Sequence, residues 1–309
     1  MNIIGKKNWY FLISLIVIIP GIISLMLYGL NLSIEFTGGS RITLAFEKEL
    51  SNEKIQTIRD VFEENKVKVS TIEKSANTVL IRSQVLDQKQ DTAIIEDLKK
   101  EAGEFKQQQY ETVGPTIGSE ITLNAIKALV IASVLVILYI TWSFRKVPRP
   151  TSSFRFGVSA ILALIHDLLV VLGVFSILGH FLGVEIDSLF VTAILTVIGF
   201  SVHDTIVVFD RIRENLKRMG GDNFPEVVNE SIIQTLDRSL NTSLTVVLVL
   251  VAMLLFGGES IRWFVVALLI GIVSGTYSSI FNASPLLVLW QELSQKNLGR
   301  KLFFNKRAN

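Results

Sequence analysis

The chain has 309 residues, half of them hydrophobic, with a mean hydropathy of +0.48 and a net charge of +2. Such a composition excludes an ordinary soluble protein and points to a polytopic membrane protein, and so even a charge balance gives no sign of a nucleic-acid partner. There is no cysteine, so disulfides, thiolate catalysis and cysteine-based metal sites are excluded.

Lys6 and Lys7 precede an apolar run from about Trp9 to Tyr28. The run is long enough to span a bilayer, which takes about 20 residues, and no small-residue cleavage site follows it closely. It reads as an uncleaved first transmembrane helix within residues 1–30. Residues 31–122 are polar, charged and of domain size. Leu32–Phe46 alternates like a strand, and Ser51 is a candidate N-cap for an amphipathic helix reaching about Asn65. Val67–Lys74 and Thr78–Gln84 read as strands joined at Ser75–Asn77, Asp91–Ala102 as a helix and Lys106–Val113 as a strand. The order β-α-β-β-α-β predicts a ferredoxin-like α+β domain. It lacks clustered His and carboxylate residues, so it reads as a binding or mechanical module.

Five further spans are expected in residues 123–290, at about Ala125–Trp142, Gly157–Leu178, Leu189–Phe209, Leu240–Phe256 and Trp263–Trp290, the last ended or bent at Pro285. A basic tail, residues 291–309, follows. Arg145, Lys146, Arg149 and Arg155 follow the second span, and Arg211, Arg213, Lys217 and Arg218 the fourth; Lys296, Arg300, Lys301, Lys306 and Arg307 lie in the tail. The alternate connections are basic-poor. This asymmetry predicts cytoplasmic termini and an extracytoplasmic ferredoxin-like domain; Lys127, near an outer helix end, snorkels. The connection Arg211–Ser239, with Gly220-Gly221 and Phe224-Pro225, is expected to form a helical hairpin near the cytoplasmic membrane surface.

Asp204 stands inside the fourth span, flanked by apolar residues. A carboxylate at membrane depth costs several kcal/mol unless paired, protonated or wet. Asp204 lies six residues before Asp210, about 9 Å along a helix axis, which puts it in the inner half of the bilayer. Small residues nearby, Gly199 and Ser201, admit a close helix or water. The pattern fits a carboxylate that takes up and releases a proton; the alternative is a structural hydrogen bond. Arg238 reads either as its electrostatic partner or as a rim arginine. Asn241, Thr242, Ser243 and Thr245 give the fifth span a polar start, suited to a water-lined half-channel or to helix–helix hydrogen bonds.

His166-Asp167 and His203-Asp204 are two intramembrane His-Asp pairs. Adjacent helical residues point about 100° apart, and no H-E-x-x-H or four-ligand cluster is present, so no metal or other cofactor is expected. Asp167 is a candidate for positioning or proton access, or for buried structural pairing. Gly271-x-x-x-Gly275 marks a close helix contact, as Gly199 does.

Four stretches together resemble the SecF family, the smaller subunits of the bacterial SecD–SecF export complex. They are Phe36-Thr37-Gly38-Gly39, Val113-Gly114-Pro115-Thr116-Ile117-Gly118, the run Asp204–Asn215, and Gln234-Thr235 with Arg238-Ser239 and Asn241-Thr242-Ser243. The resemblance covers essentially the whole chain. It implies a resistance-nodulation-division protein, a non-enzymatic translocase subunit of the bacterial plasma membrane driven by the proton-motive force. It implies a SecD-type six-helix partner, a SecYEG channel and unfolded preprotein clients. The family's relay carboxylate falls on Asp204 and its arginine on Arg238. Position 203 departs from the family, which often has Asn where this chain has His. A proton-coupled exporter of small apolar molecules and a non-conducting scaffold are the competing readings.

Overall fold

A computed structural model describes residues 1–47, 50–75, 77–148, 150–220 and 223–305, without the side chains of Ser75 and of residues 295–305. Arg149, Gly221, Lys306 and Arg307, invoked above for loop charge and turn chemistry, lie outside the described residues, as do Ala76 of the Ser75–Asn77 turn and the side chains of Lys296, Arg300 and Lys301. The chain forms two compact units, Met1–Asn31 with Ala128–Asn309, and Leu32–Lys127.

The smaller unit contains helix α2 (Ile34–Thr37), strand β1 (Gly39–Phe46), helix α3 (Asn52–Glu64), strands β2 (Val69–Ser75) and β3 (Thr78–Ser83), helix α4 (Gln88–Glu101) and strand β4 (Phe105–Val113). The strands form one antiparallel sheet ordered β2-β3-β1-β4. Alternation drives it: Ile42 and Leu44 of β1 and Val79 and Ile81 of β3 are fully buried beneath Ile58, Val61 and Phe62 of α3 and Ile94 and Leu98 of α4. Ser51 caps α3, accepting from the Lys54 N–H. Asp87 and Gln90 form a capping box at α4, so that helix begins three residues before Asp91. The expected strand from Leu32 is corrected by the same local chemistry. Ser33 caps the short α2, and Gly38 at φ +72° turns the chain out of it before β1 begins.

The larger unit supplies helix α1 (Lys7–Tyr28), then α5 (Pro115–Ser143, which starts in the smaller unit), α6 (Ser153–Leu182), α7 (Ser188–Met219), α8 (Phe224–Phe256), α9 (Arg262–Ser278) and α10 (Ser284–Asn305). A π-helical turn, Ser279–Ala283, joins α9 to α10. Six helical stretches are long and apolar enough to cross a membrane, with α9, the π-turn and α10 making the sixth. Pro285 explains the π-turn: it lacks an N–H and crowds the carbonyl one turn back, and an extra residue in that turn relieves both without ending the helix.

Close helix contacts use glycine. Gly21 of α1 and Gly173 of α6 meet backbone to backbone, so a Cβ on Gly173 would stand 2.6 Å from the Gly21 Cα. A Cβ on Gly271 of α9 would overlap Val197 of α7 at 2.1 Å. Phe144, Phe156 and Phe209 stack at one end of the bundle, with centroids 4.9–5.8 Å apart. The expected helical hairpin over residues 211–239 is continuous with the flanking helices: α7 runs unbroken to Met219 and α8 starts at Phe224 and continues to Phe256, so the amphipathic segment is the first part of α8. Asn215 donates to Ser231 and Gln234 across the two helices, each at 2.9 Å.

Candidate functional site

The carboxylate of Asp204 faces inward from α7 and is 3% exposed, and its Oδ2 has no hydrogen-bond partner. Ser239 of α8, itself 1% exposed, stands beside it, near enough to act on the carboxylate but outside hydrogen-bond geometry. Two facing polar groups left unsatisfied inside a membrane-length bundle are costly to keep buried. Thr205, the next residue, donates to the Ser201 carbonyl at 3.1 Å and shares a 2.9 Å bond with Ser279 of the π-turn.

Arg238 is exposed and forms no ion pair among the described residues, so within this chain the neighbour of Asp204 is Ser239 and not the arginine. The helical period explains the difference. The buried stripe of α8 runs through Ser231, Thr235, Ser239 and Ser243, leaving Arg238, Asn241, Thr242 and Thr245 on the outer face. Ser243 bonds Thr276 of α9 at 2.5 Å. His203 points outward as well, on a stripe of α7 with Thr192, Thr196 and Gly199. Gly199 does not pack within this chain: a Cβ there would meet nothing within 4 Å, unlike Gly271 or Gly275, whose Cβ would lie 3.0 Å from Ser201. The outer threonines satisfy their hydroxyls on their own helices, Thr192 at Ser188, Thr196 at Thr192, Thr242 at Arg238 and Thr245 at Thr242.

Asp167 is the polar hub of the bundle and fully buried. Its Oδ1 accepts from Ser274 at 2.7 Å and from His166 Nδ1 at 2.9 Å, and its Oδ2 from Ser201 at 2.6 Å and Ser278 at 2.7 Å. The three serines come from two other helices, α7 and α9. The sequence does not reveal that Ser201, Ser274 and Ser278 gather on Asp167, that Ser239 stands beside Asp204, or that Gly21 meets Gly173. A serine in an apolar span gives no pattern of its own, although the i, i+4 spacing of Ser274 and Ser278 puts both on one helix face. Among the described residues no group of three His, Asp or Glu side chains is placed to hold a metal ion.

The junction motif is assembled in the smaller unit. Gly38 is at φ +72° and Gly39 at φ +125°, where a Cβ on Gly39 would stand 2.8 Å from the Ser83 carbonyl oxygen. A Cβ on Gly118 would press on the Gly38 N and the Phe36 O at 3.0 and 3.1 Å, and Thr122 donates to the Phe36 carbonyl at 3.2 Å. Thr37 donates to the Ser33 carbonyl at 3.1 Å, and Pro115 opens α5 against Gly38. A Cβ at Gly114 would find open space.

A membrane-length bundle with a buried carboxylate, and a split βαβ sheet opening on paired glycines, define an export membrane protein of the SecD/SecF type. The family model "Protein export membrane protein SecD/SecF, C-terminal" matches residues 93–293, and that of the SecD/SecF GG motif matches residues 23–49. The chain belongs to the SecF family of protein translocase subunits. It is 48% identical to protein translocase subunit SecF of Thermobaculum terrenum over 94% of both chains, and 42% identical to that of Anaerolinea thermophila over 96% of both. The crystal structure of SecDF from Thermus thermophilus superposes with a TM-score of 0.79 at 35% identity, covering 94% of this chain and 39% of that longer one.

Proposed function

We propose that this chain couples proton passage to polypeptide export, with Asp204 as the group that loads and unloads the proton. The observation that carries the reading is the buried Asp204 carboxylate with one oxygen unpartnered, beside an equally unpartnered Ser239 hydroxyl. Neutralising the carboxylate removes most of the cost of keeping it dry, so each protonation state favours a different helix packing. A charge carried through the full potential is worth about 2.3 kcal/mol per 100 mV, enough for one or two protons to bias a two-state rearrangement. The ferredoxin-like domain, placed extracytoplasmically by the loop charges, moves with the bundle and holds or draws emerging preprotein beside a SecYEG-type channel.

The partner is a SecD-type six-helix bundle, in keeping with the SecDF chains, which are more than twice as long as this one. It covers the outer face where His203, Gly199 and Thr196 of α7 stand with Arg238, Asn241 and Thr242 of α8. Lipid would leave the charge and amides of that face unsatisfied; a second polar bundle satisfies them and gives Arg238 its acidic counterpart. The setting is the bacterial plasma membrane, with both termini cytoplasmic.

The test is Asp204→Asn in vesicles containing the partner and channel. Proton-driven export is expected to fall to background while ATP-driven translocation persists. Export that still responds to the proton gradient overturns the assignment.

A further inference from the structure

Every polar atom of the Asp167 cluster is committed except one. The serine hydroxyls of Ser201, Ser274 and Ser278 donate to the two carboxylate oxygens, and His166 Nδ1 lies 2.9 Å from Oδ1, donating to it when the imidazole carries its proton on Nδ1. Four donors converging on two oxygens fit the carboxylate anion, since a carboxylic acid would have to turn one acceptor into a donor. Such an anion in the middle of a span needs a counter-charge. Among the described residues no lysine or arginine lies within salt-bridge distance of Asp167, and His166 is its ion-pair partner. The His166 side chain is 10% exposed, and its Nε2 is buried without a hydrogen-bond partner.

We propose that His166 and Asp167 form a second proton-binding site in the bundle, distinct from Asp204, in which His166 Nε2 takes up the proton. The proton adds to the Nε2 lone pair and no bond in the protein breaks. The site passes from a net anion to a neutral imidazolium–carboxylate pair. A cavity of about 520 Å³, apolar apart from Ser14, Ser274 and Tyr277, opens on the imidazole. The other ionisable groups on the packed helices are accounted for. Tyr277 of α9 lies 6.3 Å from the imidazole, ring to ring, and its hydroxyl is bonded to the Tyr10 carbonyl of α1. Tyr10 stacks on Phe281. Glu292 of α10 pairs with Lys7. On α7, Asp204 lies one turn beyond Ser201, and His203 faces outward.

The two proton sites share a strut. Ser201 donates to Asp167, while its carbonyl accepts from Thr205 and from Ser279 of the π-turn at 3.1 and 3.3 Å. Loading His166 weakens the pull of Asp167 on Ser201, and the displacement reaches the turn that carries Asp204. This deepens the proton-coupling reading and depends on it only for the role in export.

The chain has three histidines, so His180→Gln with His203→Gln leaves His166 alone for nitrogen-15 magnetic resonance of the full chain in bilayers. Across a pH series wider than the window of about 5 to 8 typical of free imidazole, Nε2 is expected to gain one proton on acidification, and Asp167→Asn is expected to abolish that uptake. An Nε2 that keeps one protonation state across the series, or titrates identically without Asp167, overturns the proposal. The readout needs no export, so it stands whatever Asp204→Asn shows. In the export assay, His166→Gln keeps an N–H for the carboxylate but no titrating nitrogen. It is expected to lower proton-driven export at least fivefold and to flatten its pH profile. A profile identical to the parent's removes the site from the transport cycle.

Discussion

Asp204 and Asp167 are both buried acids in transmembrane helices, and their surroundings set them apart. Asp167 is held by four donors, whereas one oxygen of Asp204 is bare. Removing the Asp167 carboxylate therefore strands Ser201 and Ser274 and leaves Ser278 only the Gly275 carbonyl. Asp167→Leu is expected to destabilise the bundle by about 3–5 kcal/mol, as breaking a buried network does, measured as a fall in melting temperature in mild detergent. Asp204→Leu is expected to leave the melting temperature unchanged or raise it, because no hydrogen bond is lost and a costly unpartnered carboxylate is removed. Glycines divide in the same way. Gly39→Ala forces a Cβ to 2.8 Å from a carbonyl at φ +125° and is expected to cost about 1–3 kcal/mol, whereas Gly199→Ala is free of clash.

At the scale of elements, much was legible because period and capping are local. The six apolar runs, the order of strands and helices in the smaller unit and the Ser51 cap follow from alternation and spacing alone. Which face of a span looks inward was not legible where polar residues sit on every side. Arg238 and Ser239 are neighbours in sequence, and only the packing of α8 on α7 decides that the serine meets Asp204. Within the ferredoxin-like unit, burial pushes the Asp91 carboxyl of α4 above its ordinary value, partly offset by a hydrogen bond from Gln107. A carboxyl raised on folding adds stability below its unfolded value, near pH 3.8, and loses it as pH rises through the folded one. Asp91→Asn is therefore expected to raise the stability of this unit modestly at pH 7 and not at pH 3, as denaturant titrations at the two values would read.

For the whole molecule, the polar outer stripe of α7 and α8 makes a prediction about assembly. With no native cysteine, Thr196→Cys and Thr245→Cys report on single positions. Both are expected to react with a membrane-phase thiol reagent in the isolated chain and to be shielded at least tenfold once the SecD-type subunit is co-expressed. Phe181→Cys, an exposed position of α6, serves as the control that stays reactive. Gly199→Leu is expected to leave the isolated chain folded and, on the proposed assembly, to weaken recovery of the partner in mild detergent.

The meeting of α1 and α6 at Gly21 and Gly173 carries a mechanical consequence. Two backbones in direct contact cannot roll or slip without collision, so this pair behaves as a fixed post. The seam of α7 and α9 is held differently, by the Ser201, Ser274 and Ser278 hydroxyls on Asp167 together with the close approaches of Gly271 and Gly275. On the proposed reading of a proton-driven machine, the Gly21–Gly173 post is the part expected to stay still while other helices travel.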